Sequence, residues 1–407
     1  MALIVQKFGG TSVGDIEKIQ HVASRVKKTR DQGHDVIVVV SAMSGETNRL
    51  VDLCWQLGNQ PDPREYDVVV ATGEQVTVGL LSMALKNCGQ DAVSLLGSQV
   101  AIHTDNFHSK ARINRIDDER IRENLSSGRV VIVPGFQGIN ENGDITTLGR
   151  GGSDTSAVAL AAALEADSCE IYTDVEGIYT TDPNVVPEAV KIPKISYDEM
   201  LEMASLGAKV LQIRSVEFAK TYNVPLHVRS TFTETEGTWV TREDPEMEKV
   251  VVSGVTYEKN EAKVSIMRVP DRPGIAARIF GAIAEANINV DMIIQNISHD
   301  GFTDMTFTVP KGDLDSALSI VEPIAREIDS AGVLTDDKVA KVSIVGTGMR
   351  SHSGIASQMF RALSEDGINI QMISTSEIKV SCVIESKYTE LAVRVLHNAF
   401  DLGGETV

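Results

Sequence analysis

One segment of the chain occurs twice, and this duplication limits the possible folds more than any other feature. Gly274-Ile275-Ala276 recurs as Gly354-Ile355-Ala356, and the residues that follow recur at the same offset. The matching residues are Phe280-Gly281-Ala282, Glu285 and Ile288-Asn289 in the first copy, and Phe360-Arg361-Ala362, Glu365 and Ile368-Asn369 in the second. A constant offset over many positions indicates an internal repeat. We therefore predict two copies of one small fold.

Each copy has the pattern strand, helix, strand, strand, helix. In the first copy we predict these elements, in order, at residues 263–269, 274–286, 290–297, 303–309 and 314–328. Such a unit packs its helices against one sheet. Two small α/β sandwiches are expected to follow a larger domain.

The N-terminal part of the chain predicts a parallel sheet. Residues 2–5 and 36–40 are apolar and read as buried strands. Between them, Ile16, Ile19, Val22, Ala23 and Val26 recur at helical spacing before Gly33. A strand, helix, strand order implies a right-handed crossover and helices on both faces of the sheet. The fold class predicted here is α/β.

The same alternation continues along the chain. We predict a helix at residues 66–86, a strand at 92–95, a helix from Asp117, a strand at 130–134, a tight hairpin turn at Asn142-Gly143, a helix after Ser153, a strand at 169–173 and a helical stretch at 207–222. The first domain is expected to end near Thr241, before a charged stretch.

Charge and cysteine usage exclude several classes of partner. The chain has 407 residues and a formal net charge of −19, which disfavours binding to nucleic acid and to anionic membranes. The N-terminal apolar run has no basic flank and is not typical of a signal peptide. The four cysteines form no C-x-x-C pair, so we expect reduced thiols, a cytoplasmic location and no zinc site.

The first candidate site is Lys7-Phe8-Gly9-Gly10-Thr11-Ser12, which follows the first strand. Open parallel sheets bind ligands at the carboxyl ends of their strands. Lys7 would supply a positive charge and the glycines would expose backbone amides to a phosphate. A surface lysine before a flexible turn explains the same hexapeptide equally well.

The second candidate site is Thr147-Leu148-Gly149-Arg150-Gly151-Gly152-Ser153-Asp154, directly before an alanine-rich helix. The first turn of a helix offers unpaired amides and a positive dipole end, both of which suit an anion. Arg150 could bind a carboxylate through two hydrogen bonds. The alternative is that Ser153 or Asp154 is a plain N-cap. The P-loop pattern is absent.

A third group of polar residues follows the strand at 169–173. It comprises Tyr172-Thr173-Asp174, then Tyr179 and Asp182-Pro183, which could hold a ribose or a metal or could form an ordinary turn. Smaller candidates are Ser41, Thr47, Glu74 and Lys209. The chain has no H-E-x-x-H spacing, which excludes the metalloproteases that carry it.

Taken together, these motifs resemble aspartate kinase, a family of the amino acid kinase superfamily. The resemblance rests on the hexapeptide at Lys7, Ser41-Ala42-Met43-Ser44-Gly45-Glu46-Thr47-Asn48, Gly73-Glu74, Gly149 to Asp154 and Tyr172-Thr173-Asp174. The duplicated part is similar to the tandem ACT domains of that family, which are ferredoxin-like βαββαβ units. The resemblance implies an amino acid kinase domain at 1–245, a first ACT domain at 263–336, and a second ACT domain formed by 246–262 and 337–407.

The resemblance also implies a reaction and its residues. ATP with Mg²⁺ would phosphorylate the side-chain carboxylate of L-aspartate to give 4-phospho-L-aspartate, the first step of lysine, diaminopimelate, threonine and methionine biosynthesis. Lys7 and Asp154 would be catalytic, without a metal site built only from protein ligands. The implied aspartate-binding residues are Ser41, Thr47, Glu74, Arg150, Gly151, Gly152 and Ser153. The implied ATP-binding residues are Lys7, Phe8, Gly9, Gly10, Thr173, Asp174, Tyr179, Asp182 and Lys209.

Control by amino acids is implied in the same way, with lysine plus threonine as the expected inhibitors. The first effector site would comprise Asp271, Gly274, Ile275, Ala276, Asn289, Val290, Asp291 and Gln295. The second would comprise Gly354, Ile355, Asn369, Ile370, Ser376 and Glu377. The family pattern further implies a homo-oligomer, or association with a regulatory chain equivalent to the ACT region that would begin at Met247. Gly274 alone could equally mark a tight turn.

Two other functions stay open from the sequence. The chain could be another amino acid kinase, acting on acetylglutamate, glutamate or a nucleoside monophosphate, although the hexapeptide at Lys7 and the ACT repeat argue against it. It could also be a catalytically silent amino-acid sensor. Turnover of ATP would separate a sensor from an enzyme.

Overall fold

The chain folds into two compact units in a computed structural model that describes residues 1–58, 60–206, 210–243, 250–296 and 301–404. Unit 1 comprises the described residues within Met1–Ile178, Lys191–Ser205 and Lys209–Met247. Unit 2 comprises those within Tyr179–Val190, Leu206–Ala208 and Glu248–Val407. The chain therefore leaves unit 1 after Ile178 and returns to it at Lys191.

Unit 1 alternates strands and helices. Its strands are β1 (Leu3–Phe8), β2 (Asp35–Val40), β3 (Ala92–Ser94), β4 (Ile102–Thr104), β5 (Ile113–Ile116), β6 (Val130–Pro134), β7 (Gln137–Ile139), β8 (Ile145–Thr147), β9 (Ser168–Thr173), β10 (Lys194–Ser196), β11 (Leu226–Ser230) and β12 (Thr238–Thr241). Its helices are α1 (Ile16–Asp31), α2 (Glu46–Gln56), α3 (Pro63–Val70), α4 (Thr72–Asn87), α5 (Glu119–Ser126), α6 (Gly152–Ala163), α7 (Tyr197–Ser205) and α8 (Ile213–Tyr222). The predicted α/β class is confirmed.

The main sheet of unit 1 has the strand order β10-β12-β11-β9-β1-β2-β6-β3. The pairs from β11 through to β3 are parallel, whereas β11 and β12 pair antiparallel. Apolar residues on one face pack against α1 and α4, with Phe8, Val38, Val22 and Leu81 fully or almost fully buried in one cluster. β1 is longer than predicted and includes Lys7.

A smaller sheet, β5-β4-β7-β8, accompanies the main one. β7 and β8 form the predicted antiparallel hairpin, with the Gly143 amide donating to the Asn140 carbonyl. The sequence prediction of one helical stretch at 207–222 was wrong in its detail. α7 precedes that stretch and α8 begins only at Ile213, while residues 207–209 lie outside the described residues.

The predicted helix at 66–86 is interrupted at Ala71, where α3 ends and α4 begins. The side-chain amide of Gln137 donates to the Ala71 carbonyl, and a side chain inserted into the helical hydrogen-bond ladder interrupts it. By length and composition alone, Pro63–Asn87 is long and apolar enough to cross a membrane. Half of its apolar window is buried inside the protein, as for a core helix.

Unit 2 contains the repeat. Its strands are β13 (Gly254–Pro270), β14 (Ile293–Gln295), β15 (Phe302–Pro310), β16 (Gly332–Val345), β17 (Ile370–Thr375) and β18 (Lys379–Glu385). Its helices are α9 (Ile275–Glu285), α10 (Leu314–Glu327), α11 (Ile355–Glu365) and α12 (Thr389–Ala399). All six strands form one sheet in the order β14-β15-β13-β16-β18-β17.

The two copies match closely. α9 and α11 each follow a glycine in the left-handed region, Gly274 at φ 93° and Gly354 at φ 92°. The long strand β13 serves both copies: Gly254–Glu258 pairs with the end of β16, and the rest of β13 pairs with β15. Val252 and Val255 consequently lie in the core of the second copy.

Val185 and Val186 also belong to that core. They come from the segment Tyr179–Val190, which lies in the middle of the kinase part of the sequence. Neither the composition nor the periodicity of this segment predicts that it folds within unit 2.

Candidate active site

The strands of the main sheet end in register at one edge. Phe8 is paired with Val40 on one side and with Tyr172 on the other, and Val40 is paired with Pro134. The loops that begin at Gly9, Ser41, Gly135 and Asp174 therefore leave the sheet at the same edge. This is the edge at which open parallel sheets bind ligands.

Lys7 and Asp154 form an ion pair at this edge. The Lys7 Nζ lies 2.5 Å from an Asp154 carboxylate oxygen, and the two side chains are 12% and 10% exposed. β1 provides the lysine, and the first turn of α6 provides the aspartate. The pairing places a nearly buried positive charge beside the N-terminus of a helix, where a phosphoryl group would be stabilised.

The N-terminus of α6 differs from the simple alternative raised by the sequence. The N-cap is Gly151, at φ 75°, and Ser153 and Asp154 lie inside the first turn. Neither residue is the N-cap, so the prediction of an ordinary N-cap at these two positions was wrong. Glycine takes this left-handed conformation without the strain that a side chain would add.

Phe136 lies close to the same helix terminus and was not found from the sequence. Its backbone has φ 70°, which is unusual for a residue with a side chain. Its amide donates to the Ser156 hydroxyl, and its carbonyl accepts from the Leu148 amide. A strained aromatic residue held between a strand end and a helix start is often functional, but this strain leaves no signal in the sequence.

Glu74 is a buried carboxyl with one unsatisfied oxygen. It lies in the first turn of α4 and is 3% exposed. Oε1 accepts from the Ala42 amide at 3.1 Å, while Oε2 has no hydrogen-bond partner among the described residues. Burial raises the pKa of Glu74 to about 7. A buried carboxylate oxygen without a donor is suited to a ligand ammonium group.

The remaining predicted substrate residues differ in their exposure to solvent. Ser41 follows β2 and precedes Ala42, and Thr47 is half-buried in the first turn of α2. Arg150 is exposed, directly before the N-cap of α6. Its guanidinium is therefore accessible to a dissolved anion.

The predicted nucleotide residues are divided between the two units. Thr173 is the last residue of β9 in unit 1 and Asp174 follows it; the Thr173 hydroxyl donates to Asp174, and the Thr173 carbonyl accepts from the Thr231 amide. Tyr179 and Asp182 belong to unit 2. Lys209 lies outside the described residues.

Asp182 is already engaged within unit 2. One of its oxygens accepts from the Tyr257 hydroxyl at 3.0 Å, and the other accepts from the Asn184 amide at 2.9 Å. A nucleotide contact at Asp182 would therefore have to share or replace these hydrogen bonds.

The predicted effector residues occupy matching places in the two copies of unit 2. The first set lies in the turn before α9, at the start of that helix, in the connection to β14 and at its end: Asp271, Gly274, Ile275, Ala276, Asn289, Val290, Asp291 and Gln295. The second set lies at the start of α11, around the start of β17 and in the turn to β18: Gly354, Ile355, Asn369, Ile370, Ser376 and Glu377.

Asp291 is paired with a lysine that the sequence did not single out. Lys341, in β16, is 3% exposed and forms ion pairs with Asp291 and with Glu261. Burial alone would lower the pKa of Lys341, but the two carboxylates outweigh burial and raise it. The paired lysine remains charged, so an effector that uses Asp291 would compete with Lys341.

The described residues include no group of three or more His, Cys, Asp or Glu side chains placed to hold a metal ion. Mg²⁺ in phosphoryl-transfer sites usually keeps several waters and is bound through one or two carboxylates and the phosphates of the substrate. Asp154 and Asp174 are carboxylates at the correct edge of the sheet for that kind of binding.

Comparison with known proteins agrees with this arrangement. The amino acid kinase family model matches residues 2–230, and two ACT domain models match residues 264–327 and 342–400. The chain is 62% identical over 403 residues to aspartate kinase of Pseudomonas putida, covering 99% of this chain and 98% of that protein. It is 53% identical over 404 residues to aspartokinase of Helicobacter pylori, covering 98% and 99%.

Solved structures show the same likeness. The crystal structure of E. coli aspartokinase III in complex with aspartate and ADP, described as the R-state, has a TM-score of 0.79 at 26% identity, over 98% of this chain and 99% of that chain. The same enzyme in complex with lysine and aspartate, described as the T-state, has a TM-score of 0.78 at 26% identity with the same coverage. The chain therefore belongs to the aspartate kinases, with an amino acid kinase domain followed by two ACT domains.

Proposed function

We propose that the chain transfers the γ-phosphoryl group of ATP to the side-chain carboxylate of L-aspartate and releases 4-phospho-L-aspartate. The observation that carries this proposal is the Lys7–Asp154 pair at the N-terminus of α6, on the same sheet edge as the unsatisfied oxygen of Glu74. The Lys7–Asp154 pair suits a phosphoryl group, and the unsatisfied Glu74 oxygen suits the ammonium group of an amino acid. The E. coli relative solved with aspartate and ADP supports the same pair of ligands.

The chemistry needs positioning more than proton transfer. An aspartate carboxylate is ionised at neutral pH and can attack phosphorus without a general base. The transition state carries charge on the equatorial oxygens of the transferred group. Lys7 and the amides at the start of α6 would stabilise that charge, and Asp154, which is paired with Lys7, would hold the ammonium in position. Mg²⁺ would supply further neutralisation of the phosphates, with Asp154 and Asp174 as its candidate carboxylates.

Aspartate would be bound by opposite charges at its two ends. Glu74 accepts the ammonium at its free oxygen, and Arg150 binds a carboxylate through two hydrogen bonds. Ser41 and Thr47 donate further hydrogen bonds nearby. Gly151, Gly152 and Ser153 would line the same ligand from the helix terminus, although the Gly152 amide itself donates to the Gly149 carbonyl.

The nucleotide would approach along the loop after β1 and the end of β9. Phe8, Gly9 and Gly10 are proposed to line the phosphates, with the Gly10 amide as a donor, since the Gly9 amide donates to the Tyr172 carbonyl. The remaining contacts are proposed to come from Thr173, Asp174, Tyr179, Asp182 and Lys209.

Unit 2 is proposed to make this activity respond to amino acids. Lysine plus threonine are the proposed inhibitors, which would act by binding one conformation of the ACT domains better than the other. The E. coli relative solved with lysine supports the first of these ligands. We further propose a cytoplasmic homo-oligomer, or one associated with a regulatory chain that starts at Met247, acting at the first step of lysine, diaminopimelate, threonine and methionine synthesis. Met247 lies outside the described residues.

Trapping of the acyl phosphate with hydroxylamine tests the proposal. The full chain is incubated with ATP, Mg²⁺ and aspartate, with and without lysine plus threonine. Aspartyl hydroxamate that forms and is suppressed by the pair supports both parts. Hydroxamate that is not suppressed overturns the proposed effectors alone. Hydroxamate from glutamate or acetylglutamate, with none from aspartate, overturns the substrate.

A further inference from the structure

Asp67 is a buried carboxylate for which the proposed reaction has no direct use. It lies in α3 and is completely buried. In the part of the chain that the structure describes, its only ion-pair partner is His108, whose Nδ1 lies 2.9 Å from Oδ2. A buried carboxylate without a lysine or arginine needs several hydrogen-bond donors to offset its desolvation.

The donors to Asp67 come from two segments that are distant in sequence. Ser109 donates its amide, at 3.0 Å to Oδ2, and its hydroxyl lies 3.4 Å from Oδ1. Thr147 donates both its amide, at 3.0 Å to Oδ2, and its hydroxyl, at 2.6 Å to Oδ1. Asp67 therefore joins the loop that contains His108 and Ser109 to the last residue of β8.

Thr147 directly precedes the loop that carries Arg150. Almost every backbone amide and carbonyl of residues 147–149 has a hydrogen-bond partner. The Thr147 carbonyl accepts from the Ala111 amide, the Leu148 amide donates to the Phe136 carbonyl, and the Gly149 carbonyl accepts from the Gly152 amide. Asp67 holds the amide of Thr147, the first residue of this segment.

A second charged side chain holds the same two segments from α8. Arg214 donates to the Leu148 carbonyl at 2.7 Å and to the Ala111 carbonyl at 3.2 Å. Asp67 and Arg214 thus bind two successive residues of the segment 147–149, Thr147 and Leu148. The exposed Arg150 follows two residues later, at the start of the turn into α6.

We propose that Asp67 is a positioning residue for the aspartate-binding guanidinium of Arg150, acting through Thr147. The inference rests on the proposed function, since it takes Arg150 to bind the substrate carboxylate. Asp67 itself touches no substrate. Its effect is to fix the path of residues 147–149, so that the guanidinium is presented to the substrate without a search for the correct orientation.

The test is Asp67→Asn in the full chain, with steady-state kinetics for both substrates. Replacing the charge by an amide places an NH₂ group against donors that need an acceptor. We expect the KM for aspartate to rise about tenfold, while the KM for ATP and kcat change by less than about threefold. A variant with a lower melting temperature but an unchanged KM for aspartate overturns the inference. Equal increases in both KM values also overturn it.

Glu199→Gln is the matched control. Glu199 is likewise a buried carboxylate of unit 1, 2% exposed, and accepts from the Ser196 amide and hydroxyl at 3.1 and 2.8 Å. We expect it to lower the melting temperature without changing the KM for aspartate. A KM shift equal to that of Asp67→Asn would show a general consequence of losing a buried carboxylate, and would overturn the positioning role.

Two further variants keep the test decisive. If Asp67→Asn does not fold, Thr147→Val removes one donor to Asp67 and should raise the KM for aspartate about threefold; no change overturns the inference. Arg150→Ala tests the proposed function separately. Should it leave the KM for aspartate unchanged, the role of Arg150 is wrong, and the inference is overturned with it. Should it raise that KM, adding Asp67→Asn must cause no further increase, because both changes then act on one interaction.

Discussion

At the scale of single residues, the sequence predicts which side chains lie at the sheet edge better than it predicts their contacts. Lys7, Asp154 and Glu74 are all placed at or beside the predicted sheet edge. That Lys7 pairs directly with Asp154, and that Glu74 retains an unsatisfied buried oxygen, depends on contacts across the fold. Asp67 could not be found from the sequence, because its hydrogen-bond donors, Ser109 and Thr147, lie far from it along the chain.

The raised pKa of Glu74 predicts the pH dependence of aspartate binding. Burial raises this pKa to about 7 in the free protein, so Glu74 becomes protonated as the pH falls through that value. Only the ionised form attracts an ammonium group strongly. We expect kcat/KM for aspartate to fall about tenfold per pH unit below pH 7, measured between pH 8 and pH 5.5.

Glu74→Gln provides the control for this pH profile. It should lower kcat/KM for aspartate by about 100-fold at pH 8 and remove the dependence with an apparent pKa near 7. The unfolded pKa is near 4.5 and the folded pKa is higher, so ionised Glu74 costs stability above both values. Glu74→Gln should therefore raise the melting temperature more at pH 8 than at pH 5. An unchanged acid limb in this variant would mean that another group titrates.

At the scale of elements, periodicity locates the helices and most strands but not the interruption at Ala71. The apolar pattern of residues 66–86 continues through that point, and the break comes from Gln137, which is far away in sequence. The interruption precedes the first turn of α4, which contains Gly73 and Glu74. Gly73 packs closely against Ala42, whose amide donates to Glu74.

Two glycines of α4 give a matched pair of substitutions. A Cβ at Gly73 would lie 2.8 Å from the Ala42 Cβ, whereas a Cβ at Gly79 has no heavy atom within 4 Å. Gly73→Ala should therefore destabilise the protein by about 1–3 kcal/mol through overpacking. It should also raise the KM for aspartate, because Ala42 moves away from Glu74.

Gly79→Ala should instead stabilise the protein by about 0.5–1 kcal/mol, since alanine favours a helix interior, and should leave both KM values unchanged. Urea unfolding and steady-state kinetics on the two variants measure these effects. If both variants had the same stability and the same KM for aspartate, the contact between Gly73 and Ala42 would have no role in holding Glu74.

At the scale of the whole molecule, the sequence predicts two kinds of domain but not which one folds around Tyr179–Val190. The repeat can be recognised from the sequence because its two copies share residues at a constant offset. The membership of this segment in unit 2 depends on long-range contacts. The Thr180 hydroxyl contacts His397, the Val185 carbonyl accepts from Arg394, and Asp182 accepts from Tyr257. A prediction that ends the first domain near residue 245 assigns these hydrogen-bond partners to different domains.

The hydrogen bond from Tyr257 to Asp182 helps to hold the segment Tyr179–Val190 within unit 2. Burial and the nearby Asp182 carboxylate raise the pKa of Tyr257 to about 12, so the hydroxyl remains a donor at neutral pH. Tyr257→Phe removes this donor. The Val185 and Val186 amides, which both donate to the Asp182 carbonyl, should then exchange their hydrogens about tenfold faster.

In kinetic assays, Tyr257→Phe should raise the KM for ATP and weaken inhibition by lysine plus threonine, while the KM for aspartate stays unchanged. Tyr388→Phe is the control, since Tyr388 packs against the same core from the start of α12 and lies outside the segment Tyr179–Val190. Faster amide hydrogen exchange with an unchanged KM for ATP would show that the segment does not contribute to nucleotide binding. Both effects together would support Asp182 as a nucleotide contact whose position depends on the hydrogen bond from Tyr257.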